Sequence, residues 1–378
     1  MNDRTVRPER LIAEFLELVQ VDSVSGKERQ IADLLIHKLA DLGLEVREDE
    51  AGKAAGSNSG NVIGWLPGKG RGPVIMLCSH MDTVEPGTGV RPVLKDGVIS
   101  SAGDTVLGAD DKAGIATILE VLRIVREQRL EHGGLEIVFT IREEDGLYGA
   151  KNLQYHLLKA RYGFVLDSDG SPGTIINRAP SQDRIGITIR GKAAHAGMNP
   201  EDGINAIKVA SEAIAQMNLG RIDHETTCNI GIISGGRASN IVPDSVTIQG
   251  EARSLNNSKR EAQTARMCRE VSRVAENNGA RAEIFVETIY NSFHLGEESP
   301  PVKVALEAAY KLGLQPKLGK TGGGSDANIY NQRGIPTVVL GVGMKKAHTC
   351  EEYITTADLV NNAEYLLEIL RAAQCRAF

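Results

Sequence analysis

The sequence predicts a mixed α/β fold, a mostly parallel sheet flanked by helices and interrupted by a smaller two-layer α+β module of β-α-β-β-α-β order. Three observations predict it. Over the first 180 or so residues, short runs apolar on both faces alternate with helical stretches, as strands buried between helices do. From about Gln182 strict apolar–polar alternation takes over, the mark of a strand with one solvated face. After about Pro300 the first pattern returns. One α/β domain, residues 1–181 and 296–378, is therefore expected to enclose an inserted lid or dimerisation domain, residues 182–295.

The elements follow in order. Residues 7–20 set Leu11, Ile12, Phe15, Leu16 and Val19 at helical spacing, and Ser25 followed by Glu28 reads as a capping box opening a second helix through about Leu42. The runs 61–66 (NVIGWL), 73–79 (PVIMLCS), 135–141 (LEIVFTI) and 162–168 (YGFVLDS) read as strands, with helices expected at 111–127 and 146–159. In the insertion, DRIGITIRG opens a half-exposed strand. A helix at 203–217 follows, then strands at 227–233 and 245–254, a helix near 258–278 and a strand at 281–289. The remainder supplies a helix, the strand 336–342 (PTVVLGV) and a terminal helix at 355–373.

Composition excludes several classes. The chain has 378 residues, which at about 150 residues per domain suggests two or three domains. It is 41% hydrophobic and 24% charged, enough apolar material for a real core. No stretch approaches the roughly 18 consecutive apolar residues of a membrane helix, and the N-terminal pattern is an amphipathic helix with charges inside it, not a signal peptide. The net charge of −6, without a Lys/Arg block, gives no footprint for nucleic acid. Cys78, Cys228, Cys268, Cys350 and Cys375 are scattered and form no C-x-x-C pair, which fits a reducing cytoplasm. Gly186–Lys192 has the spacing of a phosphate-binding loop, but Ala193 replaces Ser/Thr and the intervening ITIR alternates like a strand, so no cradle of backbone N–H groups is expected.

The chemistry-bearing residues stand at strand ends. His80 and Asp82 close the strand 73–79, Asp110-Asp111 precedes a helix, Glu143-Glu144 closes 135–141, Asp167 closes 162–168, and His348 follows 336–342 after a short loop. Ligands of open α/β sheets bind beyond the carboxyl ends of the strands, so these groups are expected to converge on one edge. Mixed imidazole and carboxylate donors suit zinc, and also manganese or cobalt. Two histidines and several carboxylates exceed the needs of one tetrahedral ion and suit a pair sharing a carboxylate. A His-x-Asp triplet lets the carboxylate fix the imidazole tautomer.

The segments SHMDTVEPG, GADDKAG, the Glu-Glu pair, LDSDG, HAGMNPEDGINAI, the GGGSDA loop and AHTCEEYI stand in the order seen in cocatalytic dizinc exopeptidases. The chain resembles the family of peptidase T, glutamate carboxypeptidase and aminoacylase over nearly its whole length, and most closely the peptidase T-like branch. The resemblance implies two Zn²⁺ ions bridged by Asp110, with His80 and Asp167 on one and Glu144 and His348 on the other. It implies Glu143 as general base, Asp82 as the group orienting His80, and a cis peptide between Asp110 and Asp111. His195 would stabilise the oxyanion, often across a homodimer, and Asn240 and Arg253 would lie near the substrate carboxylate or oxyanion. Glu352 would support His348, with Cys350 a bystander. Thr321 stands where peptidase T has an arginine, and Arg142 where it has an aspartate; both touch substrate reading and neither touches the metals. The implied activity is removal of the N-terminal residue from short peptides, tripeptides first. Action on acylated amino acids, as an aminoacylase or carboxypeptidase, is the runner-up, and a catalytically silent metal-binding protein is the rival from another class.

Overall fold

The computed structural model describes residues 5–374; Cys375 lies outside them. Two compact units emerge: residues up to Arg178 with His294–Thr321 and the chain from Ser325 on, and Ala179–Phe293 with Gly322–Gly324.

In the first unit a mixed sheet runs in the order Glu45–Glu48, Val62–Pro67, Gly134–Thr140, Ile75–His80, Tyr162–Ser168, Thr337–Gly341, Thr174–Ala179. Its centre is parallel: Ile75–His80 pairs with Gly134–Thr140 on one side and Tyr162–Ser168 on the other, and Thr337–Gly341 continues in the same sense. Every residue of Ile75–His80, Gly134–Thr140 and Thr337–Gly341 is buried, which is why these strands read as continuous apolar runs rather than alternating ones. The helix Ala109–Glu127 packs on Ile75–His80 and Tyr162–Ser168, and Pro8–Val19 and Thr356–Gln374 pack on it in turn. Among the described residues no helix is long and apolar enough to cross a membrane.

Three local expectations are corrected. Ser25 and Glu28 form no capping box: the helix Arg29–Asp41 starts after Glu28, whose carboxylate accepts the amides of Gly26 and Arg142, while Ser25 Oγ donates to Asp82 Oδ2 at 2.6 Å. A long-range acceptor for Ser25 and a long-range donor to Glu28 outcompete the local cap. The helix expected at 146–159 shrinks to Tyr148–Asn152 and a 3₁₀ turn at Tyr155–Leu157. The buried carboxylate of Glu136 takes the amides of Lys159 and Ala160, each at 2.8 Å, and draws the chain back to the sheet. The strands Pro92–Lys95 and Val98–Ser101 were not anticipated. They form a hairpin about Asp96 (φ 51°) and Gly97 (φ 78°), and Tyr353–Thr355 completes a three-stranded sheet beside it. The Asp-Gly pair was the available signal.

The second unit is an antiparallel sheet ordered Gly220–Arg221, Thr226–Gly235, Ser245–Ser254, Ser181–Arg190, Arg281–Tyr290. The helices Ala206–Gln216 and Asn257–Asn277 bury Val209, Met267, Val271 and Val274 against Ile185, Ile187, Ile189 and Ile248. Gly186 lies inside the strand Ser181–Arg190, so the phosphate-loop spacing is a strand. The unit's bounds differ slightly from 182–295, and Gly322–Gly324 joins it because Arg253 Nη1 donates to Gly322 O at 3.2 Å and Tyr290 covers Gly324. A Cβ at Gly324 would stand 2.1 Å from that ring, so only glycine passes beneath it.

Candidate metal centre and active site

The parallel strands deliver their carboxyl ends side by side, and the first unit gathers seven of the ten expected site residues there. His80 ends its strand buried, with Nδ1 2.9 Å from the backbone oxygen of Asp82, so Nδ1 donates there and Nε2 faces the carboxylates. That nitrogen lies 3.0 Å from Asp110 Oδ1 and 3.9 Å from Asp167 Oδ1. The other oxygen, Asp110 Oδ2, is 3.2 Å from His348 Nε2, which is itself 3.0 Å from Glu144 Oε2. One carboxylate thus faces two histidines, one oxygen to each. Donor atoms of His80, Asp110 and Glu144 lie within 4.8 Å of one another, as do those of His80, Asp111 and Asp167. The Asp110–Asp111 peptide bond is cis.

Asp82 is fully buried, and it meets His80 chiefly through its backbone; its own Oδ1 is 3.6 Å from His80 Nδ1. The carboxylate instead accepts the amides of Glu143 (2.9 Å) and Glu144 (3.3 Å) along with the Ser25 hydroxyl. It therefore fixes the turn that carries the glutamate pair. Arg142, in the left-handed region at φ 47°, makes that turn. Its guanidinium bonds Asp145 and the carbonyl of Ala55 and lies 4.7 Å from the Tyr148 ring centre.

Glu352 was expected to support His348. Its hydrogen bonds go to other groups: buried, it accepts the amide of Gly108 at 2.7 Å and that of Asp110 at 2.9 Å, and so holds the backbone of the carboxylate that His348 faces. Cys350 is exposed.

The electrostatics ask for a cation. Burial opposes charge on Asp110, yet the His348 and His80 imidazoles hold its carboxyl below the usual carboxylate range. Burial, and then repulsion from Asp167, raises Glu143; burial, and then repulsion from Asp110, raises Asp167. Hydrogen bonds to Asp110 and Glu144 push His348 up to about 10. Glu144 Oε1 and Asp111 Oδ1 are buried with no hydrogen-bond partner among the described residues. Five carboxylates about two imidazoles, with orphaned oxygens, fit divalent ions bound by mixed nitrogen and oxygen donors.

The other three expected residues lie in the second unit. His195 is exposed, and its Nδ1 accepts the amides of Gly197 (3.1 Å) and Met198 (3.0 Å). The neutral ring therefore carries its proton on Nε2, as an outward donor. Asn240 is next to it, with its carbonyl accepting the amide of Ala196 at 3.0 Å. Arg253 turns its fork onto Glu251, at 3.0 Å to each oxygen, as well as onto Gly322.

Comparison with known proteins agrees with this geometry. The chain is similar to YqjE of Bacillus subtilis, 46% identical over 97% of this chain and 99% of that one. Among solved structures it is similar to the aminopeptidase PepT of Bacillus cereus (46% identity, TM-score 0.90, covering 98% and 99% of the two chains). It is also similar to a tripeptidase of Staphylococcus aureus (42% identity, TM-score 0.95, covering 98% and 100%). Residues 76–372 match the model of peptidase family M20/M25/M40, and with that match the chain belongs to this family of hydrolytic metallopeptidases.

Proposed function

We propose that the protein is a cytoplasmic, homodimeric aminopeptidase that removes the N-terminal residue from short peptides, tripeptides first, using two zinc ions. The observation that carries the reading is the Asp110 carboxylate, set 3.0 Å from His80 and 3.2 Å from His348 through different oxygens. In this reading His80 and Asp167 would hold one ion and Glu144 and His348 the other, with Asp110 serving both. When bound, the pair would supply Lewis acidity and an acidified water.

Glu143 is the general base. The amide it gives to Asp82 fixes its backbone, and burial raises its carboxyl, so it can take a proton from the attacking water and return it to the leaving amine. His195, with the proton on Nε2, donates to the oxyanion from the partner chain, which pairs through an inserted domain of residues 182–295. Asn240 and Arg253 flank the substrate carboxylate or oxyanion. For Arg253 this requires its fork to leave Glu251. The solved relatives, an aminopeptidase and a tripeptidase, support the N-terminal reading. The free thiols of Cys78, Cys228, Cys268 and Cys350 support the reducing compartment.

An aminopeptidase needs a free α-amino group and a deacylase needs it blocked. Incubating the zinc-loaded protein with a tripeptide and with its N-acetyl form separates them. Release of the first residue from the free peptide alone is expected; hydrolysis of only the acetylated peptide refutes the assignment.

A further inference from the structure

The two halves of the centre are not alike. Around Asp110 Oδ2 stand Glu144 and His348, whose side chain is 53% exposed. Around Asp110 Oδ1 stand His80, 2% exposed, Asp167, and a residue to which the reading above gives no part, Asp111. Asp111 is fully buried. Its Oδ2 accepts from the Ser79 hydroxyl and from the amide of His80 at 3.3 Å; its Oδ1 has no hydrogen-bond partner among the described residues. One of its oxygens comes within 4.8 Å of donor atoms on both His80 and Asp167.

The fold makes room for this carboxylate. A Cβ at Gly114 would stand 2.7 Å from Asp111 Oδ1 and 2.6 Å from Ser79 Oγ, so the helix Ala109–Glu127 gives up a side chain to admit it. A carboxylate that is buried, half satisfied and beside a second carboxylate is costly unless a cation answers it. Near the His80–Asp167 half, Asp110, Asp111 and Asp167 converge with one buried imidazole; near the His348 half, Asp110 and Glu144 face an imidazole open to solvent, and Glu144 also comes within 4.8 Å of His80.

We propose that Asp111 makes the two half-sites unequal, so that the His80–Asp167 half takes a divalent ion first and holds it more tightly, while the His348–Glu144 half exchanges. Asp111 does this as a positioning residue, through its charge and its bond to the His80 backbone. The inference rests on the reading that these residues take two divalent ions.

The test is a titration of metal-free protein with Co²⁺, followed by calorimetry and by the visible absorption of bound cobalt. Wild type is expected to bind in two resolved steps. Asp111→Asn keeps the shape and an acceptor for Ser79. It is expected to weaken the tight step about 10- to 100-fold, the usual effect of losing a group behind a metal ligand, and to spare the weak one. His348→Ala is expected to lose the weak step alone, and His80→Ala the tight one. Two equal steps in wild type, an unchanged tight step in Asp111→Asn, or loss of the tight step in His348→Ala overturns the proposal. Should Asp111→Asn fail to fold, Ser79→Ala, which removes the hydroxyl that holds the Asp111 carboxylate, is expected to weaken the same tight step, and an unchanged tight step there overturns the proposal. If wild type takes up no cobalt at all, the two-ion reading itself falls.

Discussion

Glu352 and Asp110 are 242 residues apart in sequence, yet one carboxylate holds the other's backbone. Glu352→Gln tests this. The carboxylate accepts two buried amides, at 2.7 Å from Gly108 and 2.9 Å from Asp110. A glutamine offers one oxygen in place of two, and its amino group opposes one of those N–H groups donor to donor. Hydrogen bonds to a charged acceptor contribute about 1.5–3 kcal/mol each, so losing one should speed exchange of the freed amide about 10- to 100-fold. Burial raises the Glu352 carboxyl, so part of the loss is offset by no longer burying a charge, and the lower half of that range is expected. The assay is hydrogen–deuterium exchange of the peptide spanning residues 107–115, wild type against variant, with cobalt affinity measured alongside. Exchange there should rise while the strands Ile75–His80 and Gly134–Thr140 stay protected, and affinity should fall. Unchanged exchange at Gly108 and Asp110 would refute the idea that Glu352 seats the shared carboxylate.

Three further outcomes are expected. Glu143→Gln should lower kcat about 10²- to 10⁴-fold with metal content unchanged, and a metal-loaded variant with full turnover would remove Glu143 as the base. In the second unit, Asp183 lies 3.2 Å from the buried Arg260 and accepts the hydroxyls of Thr264 (2.7 Å) and Thr288 (2.8 Å). Asp183→Ala leaves that guanidinium with Glu261 (2.9 Å) and Asn291 (3.2 Å) and takes the acceptor from both hydroxyls. It should destabilise the unit by about 1.5–3 kcal/mol in urea unfolding; a shift below about 0.5 kcal/mol would contradict it. Asp326, held up to about 6 by burial, keeps its proton in the folded state between pH 4 and 6, where the unfolded chain has released it. Stability of the metal-free protein from this group is therefore full below about pH 4 and falls as pH rises to about 6, by of order 1–3 kcal/mol. Asp326→Asn, still an acceptor for Thr140, should flatten that fall, and an unchanged pH profile would contradict it.

Much of the centre was legible because its residues sit where periodicity ends. The parallel strands are buried on both faces, so each stops being apolar at the carboxyl edge, and a His, Asp or Glu in that position stands out. The mostly parallel sheet followed from the same runs. The supports were not legible. Ser25 and Glu28 spell a local cap, and only the fold shows that Asp82 and Arg142 claim them. Glu352 sits four residues after His348 in sequence, which suggested the wrong partner, because a long-range contact to Gly108 and Asp110 leaves no periodic trace. Asp111 reads as half of an Asp-Asp pair, and its separate place depends on Gly114 and Ser79. Arg253 looks available for a carboxylate until Glu251, two residues before it on the same strand, is seen in its fork.

The central claim is a pair of ions on residues joined by Asp110, used to hydrolyse short peptides. Elemental analysis of the purified protein, with hydrolysis of a free tripeptide measured before and after chelation, addresses it most directly. About two zinc ions per chain are expected, with cleavage lost on chelation and restored by zinc. A chain that holds no metal, and that cleaves no tripeptide after zinc, manganese or cobalt is supplied, would contradict it.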